Sequence, residues 1–304
     1  MRPESPTLTA WLLLFLLGLI WGGSFLGVAL ALTGFGPAWV AAIRIALAAV
    51  ILLGVAFATG QGLPAWASDR GRRIWLHCAG MAIFSNALPF TLLSWGQRHV
   101  TSGYAGITMA VVPLLVLPLA HVFVPGERMT PRKVAGFAVG FAGVALLIGP
   151  AAILSGEAGT DGLARLACIA ASCSYAVGAI ITRLAPAGPK LSFAAAGLLI
   201  AAVVILPVAL LSEGIPASPP PAALLGVLYL GILPTALATV MLVHVIQTAG
   251  PSFLSLVNYQ VPVWAVIIGW VVLGETLPAQ FLAALGLILA GLATSQIRLS
   301  RARA

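Results

Sequence analysis

Long uncharged runs separated by short polar segments set the pattern of this chain. Residues 8–31, 37–57, 73–95, 101–123, 131–149, 163–184, 190–212, 221–245, 252–273 and 278–297 each form an apolar run of spanning length. A hydrocarbon core of ~30 Å takes about 20 residues of α-helix. The stretch from Gly214 to Gly274 holds no charged residue and is too long for one span; Thr248-Ala249-Gly250-Pro251 divides it. The pattern predicts an all-α integral membrane protein with ten transmembrane helices. The first run also looks like a signal peptide, with Ala29-Leu30-Ala31 as an A-x-A site. Its length, and the offset of Arg2 by Glu4, favour a retained helix.

Composition agrees with that pattern. Hydrophobic residues make up 61% of the chain and charged residues 7%, against about 25% charged in a soluble domain. A soluble globule is excluded. The net charge of +8 does not form a nucleic-acid groove, because the basic residues fall mostly in short clusters between or at the ends of the apolar runs. With the N-terminus in the cytoplasm, twelve of the fifteen Lys and Arg fall on the cytoplasmic side. These are Arg2; Arg70, Arg72 and Arg73; Arg128, Arg132 and Lys133; Arg183 and Lys190; and Arg298, Arg301 and Arg303. Arg98 and Arg165 fall opposite, and Arg44 lies within a span. This bias predicts both termini inside. Cys78, Cys168 and Cys173 lie in apolar runs without a CxxC spacing and read as packing residues. No metal site or cofactor is expected.

The halves repeat. VVPLLVLPLAHVFVPGE at 111–127 matches QVPVWAVIIGWVVLGE at 260–275, with one residue of slippage. Pro113 aligns with Pro262, Gly126-Glu127 with Gly274-Glu275, Ala142-Gly143 with Ala290-Gly291, and Ala87-Leu88 with Ala236-Leu237. Trp21 can be set against Tyr175. Five helices per copy is an odd number, so the second copy is inverted, an architecture frequent among secondary transporters. The first five-helix repeat is expected over 8–149 and the second over 160–297, with short cytoplasmic tails at 1–7 and 298–304.

With WGGSF at 21–25, the Pro37…Arg44 start of helix 2 and the two Pro…GE…G segments, the chain resembles the EamA family of the drug/metabolite transporter superfamily. The resemblance implies a ten-helix transporter of small organic solutes, often an exporter in a bacterial inner membrane, with amino acids as typical cargo.

The residues themselves offer a candidate pocket. Ser255, Asn258, Tyr259 and Pro262 share one face of helix 9, and a polar stripe in a span faces protein rather than lipid. The matching positions of helix 4, Gly106, Met109, Ala110 and Pro113, are apolar or small. Asn86 and Phe90 on helix 3 match Thr235 and Thr239 on helix 8. Trp21 and Ser24 on helix 1 and Tyr175 on helix 6 complete the candidate set. Pro113 and Pro262 read as paired bending points or as static kinks. Arg44 reads first as a structural tie to backbone carbonyls and second as an attractor of an anionic group. No carboxylate lies inside a span, so the expected cargo is neutral, zwitterionic or anionic. The glycines at 136, 140 and 143 suit close helix contact, either in a homodimer or within a repeat. Thr130-Pro131 reads as the N-cap and first-turn proline of helix 5.

Rival readings are weaker. Gly22-Gly23-Ser24-Phe25-Leu26 fails the G-x-S-x-G pattern at its last position, and no HExxH, P-loop or dinucleotide fingerprint occurs. An enzyme is not expected, and no catalytic residue is assigned. A non-transporting scaffold or sensor would carry a soluble domain that these loops cannot hold.

Overall fold

The computed structural model describes residues 7–149 and 159–296. Arg2, Glu4, Glu157 and the basic tail at 298–304 lie outside the described residues. Helices account for nearly all of what is described. They are α1 (Leu8–Ala31), α2 (Pro37–Ala58), α3 (Asp69–Gly96), α4 (Ser102–Phe123), α5 (Pro131–Ile148), α6 (Thr160–Leu184), α7 (Lys190–Glu213), α8 (Pro221–Thr248), α9 (Val257–Leu273) and α10 (Ala279–Gln296). All but α9 are long and apolar enough to span on their own.

The helix starts follow from local chemistry. Thr7, Ser68, Thr101 and Thr130 each accept a hydrogen bond from the backbone N–H three residues on, which satisfies an orphan donor of the first turn. Pro131 occupies the first turn of α5, as its sequence predicts. Helix α9 departs from the expected run at 252–273. It begins at Val257 after a separate turn, Pro251–Leu254. The N–H groups of Asn258 and Tyr259 bond the carbonyls of Ser255 and Leu256, so the chain tightens there to i→i+3 spacing. At 17 residues, α9 spans about 25 Å, and the preceding turn supplies the rest.

Packing follows the repeat. Helices α2 and α7 pair, as do α5 and α10, and α4 lies against α9. The remaining contacts come in related sets: α1 packs on α8 and α9, while α6 packs on α3 and α4. Adding five to each helix number carries one set into the other, so the arrangement is that of two related five-helix halves. The glycine face of α5 is used inside the chain. A Cβ at Gly143 would lie 2.9 Å from the Ala284 carbonyl oxygen, and Gly136 and Gly140 meet Gly291 backbone to backbone. This face joins the two halves, so it is not a packing surface within one repeat.

The outer surface carries exposed Leu12, Val50, Phe57, Val122, Phe141, Val203, Leu211 and Trp270. Such a belt suits contact with lipid. The loops gather at two ends. One end, called the basic face here, carries Arg70, Glu127 and Arg183, tied by Arg70 to the Ala187 carbonyl and Arg183 to Glu127. The opposite face carries Trp39, Glu213 and Glu275.

Candidate functional site

Helices α3 and α8 are each interrupted by a π-helix, at Ala82–Ala87 and Gly231–Leu237. These segments occupy the same place in the two repeats. Such wide turns free backbone carbonyls and recur at functional sites. Pro234 offers no N–H to the carbonyl of Leu230 four residues back. The Thr235 hydroxyl donates to that carbonyl instead, at 2.7 Å. In α3 the Asn86 amide donates to the Met81 carbonyl at 3.1 Å.

Neighbouring helices complete the satisfaction of both segments. The indole N–H of Trp21 on α1 donates to the Pro234 carbonyl at 3.0 Å. The Ser174 hydroxyl on α6 donates to the Phe84 carbonyl at 2.8 Å. The two bonds fall at neighbouring places in the repeats: Ser174 adjoins Tyr175, which is set against Trp21, and Phe84 adjoins Ser85, which matches Pro234. The carbonyls of Leu230 and Pro234 in α8, and of Met81 and Phe84 in α3, thus find side-chain donors, as a low-dielectric interior favours.

A cavity of about 1110 Å³ runs from these π-helices to the basic face. Asn86, Thr235 and Thr239 lie at its inner end, with Met81, Leu198 and Leu242 along its walls. Arg70, Arg183 and Lys190 line its mouth, and no Asp or Glu is among its lining residues. Its size suits a small organic molecule.

At the opposite face two carboxylates are seated on helix starts. Glu275 accepts from the N–H groups of Ser102 and Gly103 at 2.7 and 2.9 Å. Glu213 accepts from those of Ala38 and Trp39 at 2.9 and 3.2 Å, and the Trp39 indole donates to the Gly214 carbonyl at 2.6 Å. Each carboxylate meets the positive end of a helix dipole. At the basic face Glu127 instead pairs with Lys133 and Arg183 at 3.1 and 2.6 Å. These cations hold its carboxyl below the usual range, the bond from Arg183 contributing most.

Of the predicted pocket residues, the structure brings Asn86, Thr235 and Thr239 to this cavity. Trp21, Ser24, Phe90, Met109, Tyr175, Ser255, Asn258 and Tyr259 do not line it. Trp21 braces α8, Ser24 donates to the Trp21 carbonyl, and Phe90 faces Tyr175 edge-on with centroids 6.3 Å apart. Pro113 follows a 3-10 turn at Met109–Val111, whereas Pro262 lies within a continuous α9. Gln61, Arg70, Lys190 and Ser192 line the cavity without having stood out in the sequence; the basic residues there had read only as topological signals. Among the described residues no group of three or more His, Cys, Asp or Glu is placed to hold a metal.

The family pattern of the "EamA-like transporter family" matches residues 8–149 and 162–295. A protein described as "Probable terminal-alkyne amino-acid exporter" from Streptantibioticus cattleyicolor is 29% identical over 89% of this chain and 88% of its own length. YedA of Escherichia coli K12, described as an uncharacterized inner membrane transporter, is 26% identical over 90% of this chain and 86% of its own. A crystal structure superposes with a TM-score of 0.68 at 23% identity, covering 95% of this chain and 97% of that one; this likeness bears on the fold alone. The matched segments span both five-helix halves, and the chain belongs to the EamA-like transporter family.

Proposed function

We propose that this protein exports small amino-acid-like solutes across a bacterial inner membrane by alternating access. The basic face lies in the cytoplasm, with both termini on that side, as the distribution of Lys and Arg favours. The observation that carries the reading is the cavity, which opens at the basic face and ends on the matched pair Asn86 and Thr235. A cytoplasmic solute then meets an open path to the midplane, while Glu213 and Glu275 hold the far side together.

Buried polar groups at the far side support a second conformation. The side chains of Ser94, Gln97, Ser102 and Tyr104 hold buried polar atoms with no partner within the described protein. They occupy the last turn of α3, its end and the first turn of α4. Burial without a partner is costly. An outward-open form would hydrate all four.

The test loads cells with amino-acid dipeptides and profiles the medium. Cells carrying the wild type release one neutral or zwitterionic amino acid faster than cells carrying an Asn86→Ala, Thr239→Val variant of equal expression. Equal release by wild type and empty vector for every amino acid would refute amino-acid export.

A further inference from the structure

Arg44 lies two turns inside α2 and is 6% exposed. A guanidinium carries five N–H donors in a planar fork suited to a carboxylate. Here Nε and Nη2 both reach a single oxygen, Thr235 Oγ1, at 3.3 and 3.1 Å. The Phe90 ring lies 3.6 Å from the guanidinium carbon and fixes its plane. Among the described residues no carboxylate pairs with Arg44; the ion pairs seen are made by Asp69 and Glu127. No described residue accepts a hydrogen bond from Nη1.

A charge buried at this depth normally has a partner. One hydroxyl, already committed as donor to the Leu230 carbonyl, leaves the fork half used. Thr235 is also a wall residue at the inner end of the cavity, so the unpaired charge sits one side chain behind that wall. Arg183 at the mouth is paired with Glu127, but Arg70 and Lys190 carry positive charge there and no Asp or Glu lines the cavity, which favours entry of a negative group.

We propose that Arg44 is the substrate-binding cation of this transporter and that it takes a carboxylate of the solute, with Thr235 as the gatekeeping hydroxyl. The site selects for monocarboxylates, with or without an amine, and against the corresponding amides. The apolar part of the solute lies on Met81, Leu198 and Leu242. This assignment rests on the export reading above and names the group that the cavity recognises.

The experiment measures binding to purified protein in lipid nanodiscs. Probes come in two pairs, L-phenylalanine with L-phenylalaninamide and 3-phenylpropanoate with its amide. In the wild type each acid binds at least ten-fold more tightly than its amide. Arg44→Lys narrows that ratio and Arg44→Met abolishes it. A purely structural tie between α2 and α8 predicts that Arg44→Met and Thr235→Val lower thermal stability alike and leave the acid-to-amide ratio unchanged. Equal binding of acid and amide to the wild type, or binding of neither acid, overturns the proposal. Carboxylate binding without amino-acid release from cells would refute the export reading and leave this assignment standing. Release without acid-over-amide preference would do the reverse.

Discussion

Replacing Glu275 by Gln tests the closed face directly. The carboxylate accepts two backbone N–H bonds, at 2.7 and 2.9 Å, from the start of α4. Bonds to a charged group contribute about 1.5–3 kcal/mol each, against about 0.5–1.5 for a neutral pair. A glutamine side chain keeps one acceptor oxygen and loses the charge facing the helix dipole. Allowing for partial solvent screening, the closed face should lose about 2–3 kcal/mol. That corresponds to a shift of about 30- to 150-fold towards the open form. The assay is labelling of a single cysteine, Ser94→Cys, in a background lacking Cys78, Cys168 and Cys173. Ser94 is fully buried near the end of α3, so an impermeant thiol reagent added from that side reacts only when the face opens. The Glu275→Gln background should label faster by that factor. A folded variant that labels within two-fold of its parent would refute the idea that Glu275 holds the face shut.

Three further outcomes follow from named contacts. Gly291→Ala places a methyl group against the backbone of Gly136 and Gly140, where neither side can yield; a loss of about 1–3 kcal/mol should appear as a lower melting temperature. Trp21→Phe leaves the Pro234 carbonyl without its 3.0 Å donor and should cost about 1–3 kcal/mol, read by the same melt. Because Arg183 and Lys133 depress the Glu127 carboxyl, its contribution is present above the ordinary carboxylate value and fades as pH falls through the lowered one. The melting deficit of Glu127→Gln should therefore stay constant from pH 8 to 5 and vanish only in stronger acid.

The spans and the repeat were legible because lipid imposes long apolar runs and because Pro…GE…G recurs. The structure gives Gly126 and Gly274 positive φ angles of 84° and 66°, a backbone state that favours glycine, which explains that half of the motif. Asn86 and Thr235, matched between the halves in the sequence, both line the cavity. The π-helices were not legible, although Ala87-Leu88 and Ala236-Leu237 mark them, since a one-residue widening leaves the hydrophobic pattern intact. The stripe of Ser255, Asn258 and Tyr259 was assigned by helical spacing across a segment that tightens to i→i+3, and these residues do not reach the cavity. Arg44 was visible as an anomaly, but its pairing with Thr235 depends on how α2 meets α8, which no local spacing encodes.

Glu127 and Glu275 occupy matched positions yet do unlike work, and the difference bears on which conformation is preferred. Glu275 caps the first turn of α4, whereas Glu127 pairs with cations beside the open cavity. Under alternating access by two inverted halves, the outward-open form would seat Glu127 on the turn before α9. The residues matching Ser102 and Gly103 are Pro251 and Ser252. Proline has no N–H to give, so that cap is short of one charge-assisted bond, a deficit of about 1.5–3 kcal/mol. Glu127 would also have to leave Arg183. The chain should therefore rest open at the basic face. Pro251→Ala restores the donor, and labelling of the Ser94→Cys reporter should rise about ten-fold or more. An unchanged rate would mean that the two glutamates do not exchange roles and that something other than this cap sets the resting state.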